Sequence, residues 1–132
     1  MRPKATTLTE QELEIMKVVW GLGSPTVRAV YEKLLEQRKI AYTTVMTMMN
    51  VLVTKGRLKK TQQDRAYVYK PTEARGAVMS SMVKEFVGRV FDGSSKPLLV
   101  QLVKDEGLTE NDLDEIREMI RQAEEKGNKD AS

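Results

Sequence analysis

Cysteine and histidine are both absent from this 132-residue chain. Their absence excludes disulfides, thiol redox sensing, zinc fingers, cysteine nucleophiles and Ser-His-Asp catalysis together. An enzyme would have to work with carboxylates, lysine or tyrosine alone. No convergent set of these occurs, so no enzymatic activity and no cofactor are expected. A metal site would have only oxygen ligands, which suit calcium or magnesium better than copper or zinc. No paired-carboxylate site is visible, and acidic clusters such as residues 112–115 read as solvated faces. Long apolar runs are also missing: none approaches the roughly 20 residues of a membrane span. The opening MRPKATTLTEQE lacks the hydrophobic core of a signal peptide. A cytoplasmic protein is expected. There is no internal repeat and no low-complexity tract.

What remains is 40% hydrophobic and 31% charged, enough apolar material for a core on a soluble protein. The length fits one domain, or one small domain with a tail of helices used for association. The net charge of +3 is unevenly divided. Residues 1–72 hold 13 Lys+Arg and 6 Asp+Glu, a net of +7, whereas residues 73–132 hold 9 and 13, a net of −4. This asymmetry suggests that the first half meets a polyanion and the second does something else.

Thr9 with Glu12 has the spacing of a capping box, and Leu13, Met16 and Trp20 follow on one helical face, flanked by Ile15 and Val19. This helix should end near Gly21 and Gly23. Ser24-Pro25 can cap and start a second helix. Val27, Val30, Tyr31, Leu34 and Leu35 form its apolar stripe, and it should stop near Arg38-Lys39. A third helix is expected from Tyr42 to Lys55, with Gly56 as its C-cap. Val45, Met48, Met49, Leu52 and Val53 share one face, while Thr43, Thr47, Asn50 and Thr54 lie opposite. Threonine is a poor helix former at exposed positions, so that polar face suggests selection for contact rather than stability.

Leu58–Thr61 and Ala66–Lys70 read as two strands around a polar tip, Gln62-Gln63-Asp64-Arg65. Three helices followed by a hairpin make a winged helix-turn-helix. From Arg38 to Lys70 eight Lys and Arg face a single acid, Asp64. A helix that enters the major groove and a basic hairpin that lies along phosphates would use such a distribution.

After Pro71 the pattern is helical only. Residues 73–91 carry Met79, Met82, Val83, Phe86, Val87 and Val90 on one face. Gly93-Ser94-Ser95 interrupts, and Pro97 suits the first turn of a following helix with Leu98, Leu99, Leu102 and Val103. Gly107 ends it. Thr109 and Asp112 resemble a capping box ahead of a last helix with Leu113, Ile116, Met119 and Ile120. The expected architecture is therefore mainly α: a winged helix-turn-helix DNA-binding domain over residues 1–72, a helical dimerisation domain over 73–126, and a disordered tail over 127–132. So much apolar surface on short helices calls for a partner, most simply a second copy.

The segments LTEQELEIMKVVW, SPTVRAVYEKL, AYTTVMTMMNVLVTKG and DRAYVYKP, in this order, resemble the penicillinase and methicillin-resistance repressor family (BlaI/MecI), which also includes copper-responsive repressors. The similarity covers roughly residues 8–122 and is strongest over 8–71. It implies a homodimeric repressor on a palindromic operator, with intertwined C-terminal helices. It also implies control of β-lactamase-type genes, relieved when a sensor-protease signal leads to cleavage in the C-terminal region. Three departures stand out. The Asn-Phe bond cleaved in antibiotic-responsive relatives aligns here with Gln101-Leu102. The cysteine motif of the copper-responsive members is missing. Met46 and Val51 stand where the penicillinase repressor has basic residues, so the operator is expected to differ.

Candidate base-reading residues are Thr43, Thr44 and Thr47, whose hydroxyl and methyl groups suit base edges and thymine methyls. Asn50 sits later in the same helix, where phosphate contact or solvent is favoured over adenine reading. Tyr42 is either a phosphate ligand or an aromatic cap on the core. Lys55, Arg57, Lys59, Lys60 and Arg65 are candidate phosphate ligands, Arg65 at the wing tip above all. Thr26 and Arg28 open the second helix, whose N-terminus either binds phosphate or is simply capped. Met79, Met82, Phe86, Val90, Leu98, Leu102, Ile116 and Ile120 are candidates for dimerisation or intrachain core. The alternative function is a winged-helix scaffold that binds protein rather than specific DNA.

Overall fold

The computed structural model describes residues 8–105 and 107–131. Helix α1 (Glu10–Leu22) starts at the expected capping box. The Thr9 hydroxyl accepts from the Glu12 backbone N–H at 3.1 Å, and the Glu12 carboxylate accepts from the Thr9 N–H at 3.0 Å. Two donors that a helix start leaves unpaired are thereby satisfied. Ile15, Met16 and Val19 lie on the buried face, with Leu13 and Trp20 at the margin of the core. Gly23 takes φ 92° and returns its N–H to the Val19 carbonyl, closing the helix.

Helix α2 (Val27–Leu35) starts later than a Ser24 cap would place it. The Pro25 carbonyl accepts the Tyr69 N–H at 2.9 Å, which ties this residue to the wing rather than to a helical turn. Thr26 becomes the N-cap instead and accepts from the Ala29 N–H at 3.1 Å. Val27, Val30 and Leu34 are buried. The chain leaves helical geometry before Arg38, whose guanidinium forks onto the Glu14 carboxylate of α1 at 2.7 and 3.1 Å.

Helix α3 (Tyr42–Thr54) presents Val45, Met49 and Leu52 to the core, each fully buried. Its C-cap is Lys55, and Gly56 follows at φ 79°, a left-handed conformation that side-chain-bearing residues avoid. The reversal delivers Leu58, 2% exposed, back into the core.

Strands β1 (Leu58–Gln63) and β2 (Ala66–Pro71) pair antiparallel from Leu58↔Pro71 to Gln63↔Ala66. The wing tip is shorter than the sequence suggests. Gln62 and Gln63 belong to the ladder, opposite Tyr67 and Ala66, and only Asp64-Arg65 form the turn. A two-residue connection matches the twist of a hairpin, and Asp64 adopts the positive φ of 57° that it requires. Tyr69 is buried beside Leu58 in the core under α1 and α3.

Helices α4 (Arg75–Val90), α5 (Ser95–Asp105) and α6 (Glu110–Ala131) complete the mainly helical chain. The first compact unit extends to Phe86, past the boundary expected at residue 72. Its reach has a clear cause: Val78 is buried in the winged-helix core, Met82 packs against it, and the Trp20 indole N–H donates to the Glu73 carbonyl at 3.0 Å. The second unit runs from Val87. Asp92 and Gly93, at φ 52° and 86°, separate α4 from α5. Thr109 and Asp112 form the expected capping box, with reciprocal hydrogen bonds of 3.1 and 3.0 Å. Helix α6 continues to Ala131, where a disordered tail was expected from residue 127. Ahead of that stretch Arg121 bonds Glu118 and Glu125 on adjacent turns of the helix. Ser132 lies outside the described residues. No helix among those described is long and apolar enough to cross a membrane.

Candidate nucleic-acid interface

Burial of Val45, Met49 and Leu52 leaves the opposite face of α3 in solvent. Thr43, Thr44, Met46, Thr47, Val51 and Thr54 are all exposed there. The three threonines expected to reach bases are therefore displayed together on the N-terminal half of the helix. Tyr42 behaves differently. It is half-buried, edge-on to Tyr31 with ring centroids 5.4 Å apart, and the Arg28 guanidinium lies 5.2 Å over its ring. It fastens α2 to α3, and Arg28 also stands 3.9 Å from Glu32. The Thr26 hydroxyl is committed to its cap.

The wing adds cations beside that helix. Lys59 pairs directly with Lys70 across the ladder, and both are exposed. Like charges at directly opposed positions cost the sheet stability, so the fold alone gives no reason for this pair; a polyanion would. Lys70 was missed in the sequence. Period-two alternation from Lys59, combined with the hairpin register, is the signal that could have found it. Arg65 stands exposed at the tip.

Lys60 faces the other way. Its ammonium lies 4.4 Å from the Tyr67 ring centroid and 5.7 Å from that of Tyr69, and it donates to the Asn50 side-chain oxygen at 3.3 Å. The Tyr69 hydroxyl donates to the same oxygen at 3.2 Å, while the Asn50 amide donates to the Met46 carbonyl at 3.0 Å. Asn50 is thus a brace between the recognition helix and the wing, with its amide occupied on both ends.

Two expected phosphate ligands are held by acids. Lys55 donates to the Glu12 carboxylate at 2.6 Å. Arg57, proposed from a run of charge, is 5% exposed and donates to Glu73 at 3.2 Å. The Gly56 turn directs it inward, so it is a structural cation and no phosphate ligand. Among the described residues no group of three or more acids is placed to hold a metal.

Burial pushes the Glu12 carboxyl up, but the Lys55 hydrogen bond, the Thr9 backbone N–H and the Lys55 charge together hold it below its ordinary value. A carboxyl lowered in the folded state stabilises at neutral pH, and that contribution disappears as pH falls through the lowered folded value. Glu12→Gln keeps a capping side chain and removes only the charge. It should cost about 1 kcal/mol at pH 7, discounted because Lys55 is half exposed. Thermal midpoints of the two proteins should converge as pH drops below the usual carboxylate range. A gap unchanged at acid pH would show that the Lys55 pair contributes nothing.

The chain has counterparts among known proteins. Residues 8–122 match the penicillinase repressor family. The transcriptional regulator BlaI of Mycobacterium tuberculosis is 34% identical over 111 residues, covering 83% of this chain and 80% of that protein. The penicillinase repressor of Bacillus licheniformis is 23% identical over 119 residues, covering 90% and 93%. A solution structure of monomeric Bacillus licheniformis BlaI in complex with the blaP half-operator superposes with a TM-score of 0.49 at 29% identity, covering 58% of this chain and 92% of that one. With the matched segment running from the α1 cap into α6, the chain belongs to the penicillinase repressor family, a family of transcriptional repressors and not of enzymes.

Proposed function

We propose that this chain is a sequence-specific repressor that binds a palindromic operator as a homodimer in the cytoplasm. Each protomer would place α3 in a major groove and lay its wing along the adjacent backbone. The observation that carries this reading is the exposed threonine face of α3 set beside the opposed pair Lys59 and Lys70. Relatives named as a penicillinase repressor and a methicillin resistance regulatory protein support it, and β-lactamase-type genes are the natural targets to examine. Thr43, Thr44 and Thr47 are assigned to bases; Lys59, Lys70 and Arg65 to phosphates; Lys60 and Asn50 to bracing the wing.

Dimerisation is assigned to α4–α6. In the second unit Val87 is the one buried residue among those whose burial is described. Val90, Leu102 and Ile120 are 50, 39 and 47% exposed. Such faces are stable in water when a second copy covers them. Met82 packs inward on the first core, whereas Phe86 on the next turn is exposed, so the interface is taken to begin late in α4. Two linked half-site binders hold DNA far more tightly than one. Disruption or cleavage of this region, for instance by a protease, would therefore release the operator without touching the DNA-binding residues.

Selection against a random duplex library, followed by anisotropy at several salt concentrations, tests the proposal. A palindrome with half-sites about one helical turn apart is expected. Lys59→Ala should weaken all duplexes alike and flatten the salt dependence by about one unit for each phosphate no longer neutralised. Thr47→Ala should cost more on the enriched duplex than on others. Equal losses on every sequence would overturn the division of roles, and no enrichment at all would overturn sequence-specific binding.

A further inference from the structure

Beyond single threonine hydroxyls, α3 offers no free amide or guanidinium that could grip a purine with two hydrogen bonds. Its one amide, Asn50, is committed to the Met46 carbonyl, Lys60 and Tyr69. Lys55, at its end, is paired with Glu12. The usual bidentate partners of guanine and adenine in the major groove are therefore missing. What the helix does offer is methyl groups. Met46 and Val51 are 39 and 41% exposed on either side of Thr47. Together with Asn50, Thr54 and Lys55 they line a shallow hollow on the helix surface. Both apolar side chains keep about two-fifths of their surface open, and Lys60, held against Asn50, sets a cation beside the hollow that favours an anionic occupant.

We propose that this hollow receives the C5 methyl group of a thymine in the major groove, making Met46 and Val51 specificity-determining residues. The site would then be chosen by where its thymine methyls stand, and guanine edges would contribute little on this helix. The inference rests on the repressor reading above and specifies what that recognition helix reads. A methylated cytosine carries the same methyl at the same place, so the two bases are separated in the test.

Thymines of the enriched duplex are replaced one at a time by uracil, which removes the methyl and nothing else. Affinity is measured by anisotropy for the native protein, Met46→Ala and Val51→Ala. One or two symmetry-related positions should lose roughly four-fold per methyl removed, and the loss should shrink towards none in at least one of the variants. At those positions a cytosine duplex should bind more weakly than its 5-methylcytosine counterpart, which reports the methyl independently of the O4 acceptor. Both variants place alanine on an exposed helix face, so unchanged circular dichroism and thermal midpoint are expected. If uracil matches thymine everywhere, or its penalty is the same in both variants as in the native protein, the inference is wrong while the repressor reading stands. If no duplex is enriched, both are wrong.

Discussion

Ile120→Asp should leave the protein folded and able to hold a single half-site, yet lower its affinity for a full operator about a hundred-fold or more. Ile120 is 47% exposed on α6, so an aspartate there disturbs no intrachain core. In a dimer the same side chain would be buried against a second copy, where an unpaired carboxylate costs several kcal/mol. The added negative charge alone would also repel DNA. Gln122→Asp carries the same charge on a different side of α6 and serves as the control. Sedimentation should report a dimer for the native protein and the control, and a monomer for Ile120→Asp. Short duplexes bearing one half-site should bind all three alike. A variant that remains dimeric and binds the full operator like the native protein would remove the α6 stripe from the interface.

This outcome would also explain how the two halves of the charge distribution work together. The basic half supplies phosphate interactions that are individually weak and fade as salt rises. The acidic half would contribute through its apolar faces, by fixing the distance between two weak binders. Regulation can then act on the association of the two copies, because affinity depends on the linkage and no base-reading residue need move.

Features with short sequence reach were legible in advance. The Thr9–Glu12 and Thr109–Asp112 boxes and the buried stripes of α1 to α3 depend on residues within a few positions of one another, and the structure places them as expected; the hairpin too is present, with a shorter tip. Where the structure adds to or alters the local reading, the partners lie far apart in the chain. Lys55 looks like a free cation until folding brings Glu12, 43 positions away, against it. Asn50 reads as a phosphate or solvent contact until Tyr69, 19 positions away, donates to its oxygen. Ser24 looks like a cap until the wing claims the Pro25 carbonyl. In each case local chemistry offered two uses of a side chain, and a tertiary contact chose between them.

Arg57 is the strongest instance and gives the largest expected effects on stability. Its guanidinium side chain is 6% exposed, bonded to a Glu73 that is itself 38% exposed. One of its two terminal nitrogens, Nη2, is buried without a hydrogen-bond partner. Glu73→Ala would leave a buried cation without this carboxylate and should cost about 3 kcal/mol, the lower end of the range for broken buried pairs because Glu73 is partly hydrated. Arg57→Ala should cost about 2–3 kcal/mol, mainly through the void left by the aliphatic stem. Arg57→Met keeps that packing and removes both the desolvated charge and the unpaired nitrogen. It should be nearly neutral. Denaturant unfolding of the three variants gives the order. Operator binding gives the second test, because a structural cation can be exchanged for Met with the affinity and salt slope intact, whereas a phosphate ligand cannot. A drop of about one unit in salt slope in a stably folded Arg57→Met protein would return Arg57 to the DNA surface.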